Sequence, residues 1–318
     1  MKVLKFIKEW TLPVAIVVGA VIYLVFAFTP ALDGPGEFFE PIIDTIFPTF
    51  LFLVLFVTFC QVDFHAMRPQ RWHLWVGVVQ LLLLAATVVP LICLGLTGSH
   101  LVLAECALLC LIAPCASAAP VVTAKLGGDL TGMTTYMFMS NFAASLLIPL
   151  TFPLVDPRLD MPFLSAFLFI LWRVCSILVL PMVLAFLVKH YMKWLHRRIV
   201  AIPDLSYYLW CCSIVIISGT TLRNIVASGA TGAFIAAIAV VSLVLCIAQF
   251  VLGRAMGRRT GQVIEMGQGL GQKNTAFAIW VASAYLNPLS SVGPGCYILW
   301  QNFINALEIH QHQKTIRN

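Results

Sequence analysis

Long apolar segments, separated by short polar stretches, recur along the whole chain. A membrane-spanning helix needs about 20 predominantly apolar residues, because it must cross a hydrocarbon layer roughly 30 Å thick. Ten segments of the chain fit this requirement. Their predicted bounds are Leu12–Phe28, Pro41–Cys60, Leu74–Leu96, Val102–Leu126, Thr131–Val155, Pro162–Val188, Leu205–Ile225, Gly229–Ala255, Gln262–Leu286 and Val292–His310. The pattern therefore predicts an all-α membrane protein with ten transmembrane helices.

Two of these spans contain residues that interrupt a continuous helix. In span four, Ala113–Pro120 reads APCASAAP, and a proline inside a helix costs about 3 kcal/mol or more. In span nine, Met266–Ala276 reads MGQGLGQKNTA, and each glycine weakens a helix by about 1 kcal/mol relative to alanine. Both spans are predicted to be pairs of half-helices around a break. The alternative for span nine is a kinked packing helix whose Lys273 side chain reaches the membrane surface.

Composition and charge agree with a membrane protein. Hydrophobic residues make up 61% of the chain and charged residues 10%, against roughly 25% charged residues in soluble domains. Lys2, Lys5 and Lys8 precede an apolar run that resembles a signal peptide, but no small-residue cleavage site follows, so we expect a first membrane helix. The ten cysteines include no CxxC pair, and we expect them to be small buried side chains and not metal ligands.

The distribution of basic residues predicts the orientation. The N-terminal lysines and the alternate loops on the same side carry most of the Lys and Arg residues, whereas the opposite loops hold only Arg158 and Arg223. The positive-inside rule then places both termini in the cytoplasm. We expect an integral protein of the plasma (inner) membrane, and the net charge of +6 gives no indication of nucleic-acid binding.

The two halves of the chain have matching hydropathy profiles. Each half contains five predicted spans, and the fourth span of each half carries the break. Because five is an odd number, the halves enter the membrane in opposite orientations, which makes an inverted repeat. We therefore predict a single transmembrane unit over residues 1–318, built from repeats 1–156 and 157–318, with the two breaks brought together near the bilayer centre.

The broken spans resemble those of the bile acid–sodium symporter family. The resemblance extends from APCASAAPVVTAKLGGD and GQGLGQKNTAFAIW to Gln80 of span three and the Trp300-Gln301-Asn302 triplet of span ten. It covers nearly the whole chain in span order. It implies a core domain of spans three to five and eight to ten, with crossing broken helices, and a panel domain of spans one, two, six and seven. It also implies sodium-driven transport of an organic anion, such as a bile acid or a small carboxylate, by alternating access.

The sodium ligands of that family are substituted at the first site. The family uses Ser and Asn at the break of span four, with hydroxyl groups from span five. The matching positions here are Ala119, Pro120, Met133 and Met137. None of these side chains offers a hard oxygen ligand, and thioethers are soft.

The second sodium site of the family uses Glu and Gln in span nine. Alignment on Asn274, which continues the family pattern to Ala278, places Gly269 and Lys273 at those positions. Alignment on Glu265 keeps the glutamate but displaces the Gln-Asn motif by several residues. We prefer the alignment on Asn274.

Lys273 then becomes the central candidate for ion coupling, together with Gln272 and Glu265. Its ammonium group carries three donors and could take the place of a sodium ion on free helix carbonyls. A buried lysine can also lose its proton, so the same residue could carry a coupling proton. Sodium-independent or proton-coupled transport is therefore weighed against conventional sodium coupling. Glu265 lies two turns before Lys273, roughly 12 Å along a helix.

Substrate contacts are predicted at both breaks. Asn274 and Thr275 open the second half-helix of span nine, and a helix N-terminus attracts anions. Ser117 lies in the first break, and Gln80 and Asn302 are further candidates. The alternatives are a Ser117 hydroxyl bonded to a preceding carbonyl and packing hydrogen bonds between helices for Gln80 and Asn302.

Other function classes find little support in the sequence. The chain has no HExxH motif and no Walker motif, and its alternating glycines follow no strand. We therefore expect no enzyme activity, no cofactor and no metal site, with Na⁺ doubtful. The expected partners are an organic anion, the lipid bilayer and, as coupling ion, H⁺ or Na⁺. A membrane binding or sensor protein on a transporter fold stays open. Glu105, near the start of span four, is expected at the membrane interface without a special role.

Overall fold

The computed structural model describes residues 11–155, 161–202 and 204–317. These residues form helices and connecting turns, with no β-strand among them. In chain order the helices are α1 (Thr11–Ala27), α2 (Asp33–Cys60), α3 (Arg71–Leu94), α4 (Gly98–Ile112), α5 (Ala119–Lys125), α6 (Leu130–Val155), α7 (Phe163–Leu178), α8 (Leu180–Tyr191), α9 (Lys193–Val200), α10 (Leu205–Ser228), α11 (Gly232–Thr260), α12 (Val263–Gly271), α13 (Thr275–Tyr285) and α14 (Val292–Arg317). Two 3₁₀ helices, Pro30–Leu32 and Pro288–Ser291, precede α2 and α14.

The helices confirm an all-α membrane fold. Among the described helices, five are long and apolar enough to cross a membrane, and a sixth span results if the bent pair α7–α8 counts as one. The five segments are Pro41–Cys60, Arg71–Leu94, Leu130–Val155, Leu205–Ser228 and Gly232–Thr260. Spans four and nine fall short in length because a break divides each of them into shorter helices. The ten-span arrangement stays a prediction.

Both predicted breaks are present. In span four, α4 ends at Ile112 and α5 begins at Ala119, because Pro114 has no N–H to continue the helical hydrogen bonds. In span nine, α12 ends at Gly271 and α13 begins at Thr275. Each broken span therefore leaves the last carbonyls of one helix and the first N–H groups of the next without helical partners.

A third break was not predicted. The segment Pro162–Val188 was expected to be one continuous span, but α7 ends at Leu178 and α8 begins at Leu180. Pro181 explains the difference, since its missing N–H removes the hydrogen bond that would continue α7.

The basic residues Lys2, Lys5, Lys8 and Arg158, which entered the orientation prediction, lie outside the described residues.

The chain divides into two compact units. The first unit comprises Met1–Gln61 and Ser176–Ala230. In this unit, α1 packs on α10, and Gly19 of α1 lies against the backbone of Val215 of α10. If Gly19 had a Cβ atom, that atom would lie only 3.0 Å from the Cβ atom of Ser218. The absence of a side chain at Gly19 therefore allows the two helices to approach closely, as small residues do in membrane proteins.

The second unit comprises Val62–Cys175 and Thr231–Asn318 and contains both predicted broken spans. Its helices α11 and α12 pack closely, because Gly253 faces the backbone of Met266. A buried cluster formed by Cys110, Cys246, Phe250 and Tyr297 joins α4, α11 and α14 beside the breaks. This packing holds the broken spans in place within the unit.

The cysteines agree only in part with the prediction that all ten are buried. All ten are free thiols, and the described residues contain no group of His, Cys, Asp and Glu that could hold a metal ion. Cys93 and Cys212 are exposed, however. Both lie in long apolar helices, whose outward faces can carry apolar side chains when the surrounding solvent is lipid.

Candidate functional site

The two breaks lie against each other. Cys115 and Lys273 form an isolated antiparallel bridge. On either side of the bridge, the Ala116 N–H donates to the Gln272 carbonyl at 3.0 Å, and the Asn274 N–H donates to the Pro114 carbonyl at 2.8 Å. The backbone groups freed by the breaks thus find partners in each other, which confirms that the two breaks come together.

Lys273 lies in the break of span nine, two residues after the end of α12, and its side chain is buried. Its side chain is 1% exposed, and its Nζ donates to the carbonyl oxygen of Leu111 at 3.3 Å. Leu111 lies in the last turn of α4, where the helix dipole and the free carbonyls favour a cation. The alternative of a kinked packing helix with Lys273 reaching the membrane surface is therefore wrong.

Two glutamine side chains donate to the same end of α4. Gln80 Nε2 donates to the Leu111 carbonyl at 2.8 Å and to the Ala113 carbonyl at 3.4 Å. Gln249 Nε2 donates to the Cys110 carbonyl at 3.3 Å. Gln80 therefore makes the interhelical hydrogen bond that was its alternative role. Together with Lys273, these side chains donate to the carbonyls of Cys110, Leu111 and Ala113 at the end of α4.

The polar contact from α14 comes from Gln301, one residue before the predicted Asn302. Gln301 Oε1 accepts from the Lys273 N–H at 2.9 Å, and Gln301 Nε2 donates to the Lys273 carbonyl at 3.1 Å. The Tyr297 hydroxyl donates to the Gly271 carbonyl at 2.8 Å. Asn302 instead donates to the Ile298 carbonyl of its own helix at 2.7 Å. The spacing of Tyr297 and Gln301 by four residues, which places them on one helix face, was the signal in the sequence.

The second half-helix of span nine begins as predicted. Asn274 is the N-cap of α13, and its Oδ1 accepts from the Phe277 N–H at 3.2 Å. Thr275 is the first residue of α13 and is buried. Ser117 lies half-buried in the turn before α5. These three predicted substrate residues therefore lie within or directly beside the paired breaks.

Span five supplies a hydroxyl group at a position that sequence reasoning missed. The Ser140 hydroxyl accepts from the Cys115 N–H at 2.8 Å, so it stabilises the backbone of the first break. Met133 and Met137, which match the family's hydroxyl positions, are fully buried in the same helix. Ser140 and Asn141 lie about one helical turn beyond Met137 and are buried polar residues of this helix.

Gln272 and Glu265 have different surroundings. Gln272 is 3% exposed, and its Oε1 has no hydrogen-bond partner among the described residues. Glu265 lies in the first turn of α12, at the other end of that helix from Lys273, and its Oε1 accepts from the Asp129 N–H at 2.7 Å. The structure thus brings Gln272, but not Glu265, to the paired breaks.

Glu105 differs from its prediction as an interfacial residue. Its side chain is fully buried, and its Oε2 accepts from the Asn287 N–H at 3.2 Å and from the Ser290 hydroxyl at 2.5 Å. The prediction failed because these partners lie more than 180 residues away in the sequence and become neighbours only in the folded chain.

The first unit contains a cavity of about 670 Å³ between α1, α2 and α10. Most of its lining is apolar, as at Ile22 and Phe26, while Tyr23, Thr220 and Arg223 supply polar groups. Small-molecule sites typically measure about 300–1,000 Å³. None of the predicted site residues lines this cavity.

The family profile described as the Sodium Bile acid symporter family matches residues 48–228, which is more than half of the chain. The matched range includes the first break and ends before the second. A comparison with curated proteins found no match. Members of the matched family are transporters and not enzymes, and the apolar helices are those of an integral membrane protein. The chain belongs to the sodium bile acid symporter family.

Proposed function

We propose that this protein is a secondary transporter of an organic anion in which the Lys273 ammonium takes the place of a coupling sodium ion. Family membership supports the transporter class. The observation that carries the proposal is the position of Lys273 Nζ, buried and bonded to the Leu111 carbonyl at the end of α4. A compact cation at a free helix C-terminus is the arrangement that transporters use to hold Na⁺.

The neighbouring donors support the same conclusion. A sodium ion needs oxygen ligands, and the last carbonyls of α4 already accept from Lys273, Gln80 and Gln249. Met133 and Met137 are soft ligands at the positions where the family has hydroxyls. Among the described residues, the Oε1 atom of Gln272, a predicted coupling residue, is a buried acceptor at the breaks that has no hydrogen-bond partner. We propose Lys273 as the cation substitute, with Gln272 beside it.

The architecture we propose is a ten-span inverted repeat of residues 1–156 and 157–318, with both termini on the cytoplasmic side of the plasma (inner) membrane. The contact between the two breaks supports this arrangement. The division of the chain agrees with the expected core and panel domains except at span six. The first unit contains spans one, two and seven and the second contains spans three to five and eight to ten, but the boundary between Cys175 and Ser176 divides span six, which was expected to lie in the panel domain. Alternating exposure of the breaks would then move the substrate.

For the substrate we propose an organic anion such as a bile acid or a small carboxylate, bound at Ser117, Asn274 and Thr275. The N-terminus of α13 is the positive end of a helix dipole, which favours an anion. Gln80 and Asn302 have hydrogen-bond partners in the helices, and we assign them a supporting role.

The test is counterflow of labelled taurocholate, and in parallel of labelled pyruvate as a small carboxylate, in proteoliposomes that contain K⁺ and no Na⁺. We expect exchange by the natural protein and at least a tenfold loss in Lys273→Gln. Lys125→Gln is the matched control, because Lys125 is exposed at the end of α5 and should exchange normally. Unchanged exchange in Lys273→Gln, or a strict need for Na⁺ in the natural protein, would contradict the proposal.

Two further outcomes separate the alternatives. If an inward proton gradient accelerates net uptake, Lys273 carries a coupling proton. If it does not, Lys273 is a fixed cation. Binding of a probe without any exchange would instead identify a sensor on a transporter fold.

A further inference from the structure

Glu105 connects the first half of span four to the loop after span nine. It lies in α4, and its fully buried carboxylate accepts from the Asn287 N–H and the Ser290 hydroxyl. Asn287 directly follows Leu286, the C-cap residue of α13. The contact therefore ties the half-helix before one break to the chain that leaves the half-helix after the other break.

Glu265 makes the corresponding connection with the two spans exchanged. It lies in α12, the first half of span nine, and is 8% exposed. Its Oε1 accepts from the N–H of Asp129 at 2.7 Å, and Asp129 lies in the loop that follows α5, the second half of span four. Each broken span thus supplies one glutamate to the loop that follows the other broken span.

The two residues whose N–H groups donate to the carboxylates, Asn287 and Asp129, are also alike. Asn287 Oδ1 accepts from the Leu289 N–H at 3.0 Å, and Asp129 Oδ1 accepts from the Thr131 N–H at 2.9 Å. Both residues therefore form a turn through their own side chains at the point where the next helix begins. The loops that follow the two broken spans are therefore built by the same local chemistry, although their sequences differ.

We propose that Glu105 and Glu265 are a symmetry-related pair of positioning residues that hold the crossing of the broken spans from its two ends. The half-helices α5 and α13 have 7 and 11 residues, and helices shorter than about 12 residues are marginal without tertiary contacts. The bridge between Cys115 and Lys273 fixes their inner ends. The glutamates fix the loops at their outer ends.

The use of glutamate at these positions points to an anchoring role. Burying a carboxylate is costly unless it is hydrogen-bonded, so an apolar side chain would serve better if only packing were required. A carboxylate that accepts backbone N–H groups makes stronger, charge-assisted bonds. The inference rests on the proposed function only in that the crossing carries the substrate and cation sites.

The first test measures hydrogen exchange of the full chain in detergent by mass spectrometry. In Glu265→Ala, we expect exchange of the amides in 127–132 to rise about tenfold to hundredfold, the range for loss of a hydrogen bond to a charged group, with 286–291 unchanged. Glu105→Ala should give the reverse pattern. The Glu→Gln variants keep an acceptor and should show smaller rises at the same loops. Asp63→Asn, which removes an exposed carboxylate, should change neither loop.

The second readout separates positioning from stability alone. In taurocholate counterflow, the half-saturating concentration should rise at least fivefold in both alanine variants and stay within about twofold in the glutamine variants. The proposal would be overturned if either alanine variant raised hydrogen exchange in both loops, 127–132 and 286–291, or in neither of them. An unchanged half-saturating concentration of taurocholate would also overturn it. If the natural protein does not exchange taurocholate, the bile acid substrate fails, while the loop-specific exchange pattern still decides the anchoring.

Discussion

The two breaks of the second unit differ in what they contribute to their contact. The first break consists of apolar and small residues around Pro114, and the α4 helix before it presents its last carbonyls to side-chain donors. The second break carries Gln272, Lys273 and Asn274, and supplies the cation. One break is thus rich in acceptors and the other in donors. The proposal that Lys273 takes the place of a sodium ion rests on this complementarity.

The helices before the breaks are also capped differently. The end of α4 receives Gln80, Gln249 and Lys273, from three different helices or loops. The last carbonyl of α12, that of Gly271, accepts the Tyr297 hydroxyl. The positive charge is therefore placed only at the first of these helix ends. Three variants sharpen this comparison.

The largest effect on stability is expected from Gln301→Leu. Gln301 bonds both the N–H and the carbonyl of Lys273. The carbonyl also accepts from the Thr275 N–H, so the variant leaves the buried Lys273 N–H unsatisfied, at about 1–3 kcal/mol. We expect a clear drop in the free energy of unfolding, measured by denaturant or thermal unfolding in detergent. Asn302→Leu is the control, because Asn302 bonds only within its own helix. Equal losses in both variants would show that the second break does not depend on Gln301.

The next effect concerns the packing that holds α12. A Cβ at Gly253 would lie 2.8 Å from the carbonyl carbon of Met266 and 2.9 Å from the Cα of Gly267, and a backbone cannot yield as a side chain does. Gly253→Ala should therefore lower stability by about 1–3 kcal/mol. Gly77→Ala serves as control in α3, where nothing lies within 4 Å, and should be neutral or stabilising by about 0.5–1 kcal/mol. A neutral Gly253→Ala would contradict the close contact of α11 and α12.

The smallest expected effect is a pH dependence of the protein's stability that arises from Asp129, in the loop after α5. Hydrogen bonds from the backbone N–H of Gly132 and from Gln70 hold the pKa of Asp129 below its usual value. A lowered pKa means that the ionised form stabilises the fold above the unfolded pKa of about 3.9, and that this contribution is lost as pH falls through the folded pKa. Because Asp129 is exposed, the effect is small.

Comparison of Asp129→Asn with the natural protein measures this contribution. The difference in melting temperature should be present at pH 6 and should shrink below pH 4. A difference that is constant over this range would show that the hydrogen bonds do not favour the ionised carboxylate.

The sequence predicts the helices and the breaks because both depend on local properties. Hydrophobic length defines the helices, and Pro114 and the glycines of Met266–Ala276 define where two spans break. The meeting of the breaks followed from the odd number of spans in each half. These features require no knowledge of which side chains become neighbours.

The sequence does not predict contacts between distant side chains. Gln301 and Asn302 are adjacent, and which of them faces the break depends on the rotation of α14 about its axis. The burial of Glu105 depends on Asn287, which is distant in the chain. Pro181 was overlooked as a break because residues 177–188 around it are apolar throughout. Packing, and not local pattern, decides each of these cases.

The central claim is that Lys273 replaces the sodium ion. The most direct measurement is the melting temperature of the purified protein while NaCl replaces KCl at constant ionic strength. A bound ion would stabilise the folded state by about 2.7 kcal/mol at a hundredfold excess over its Kd. We expect the two salts to give the same melting temperature in the natural protein. A saturable rise that is specific to Na⁺ would show that a sodium site is present and would contradict the account.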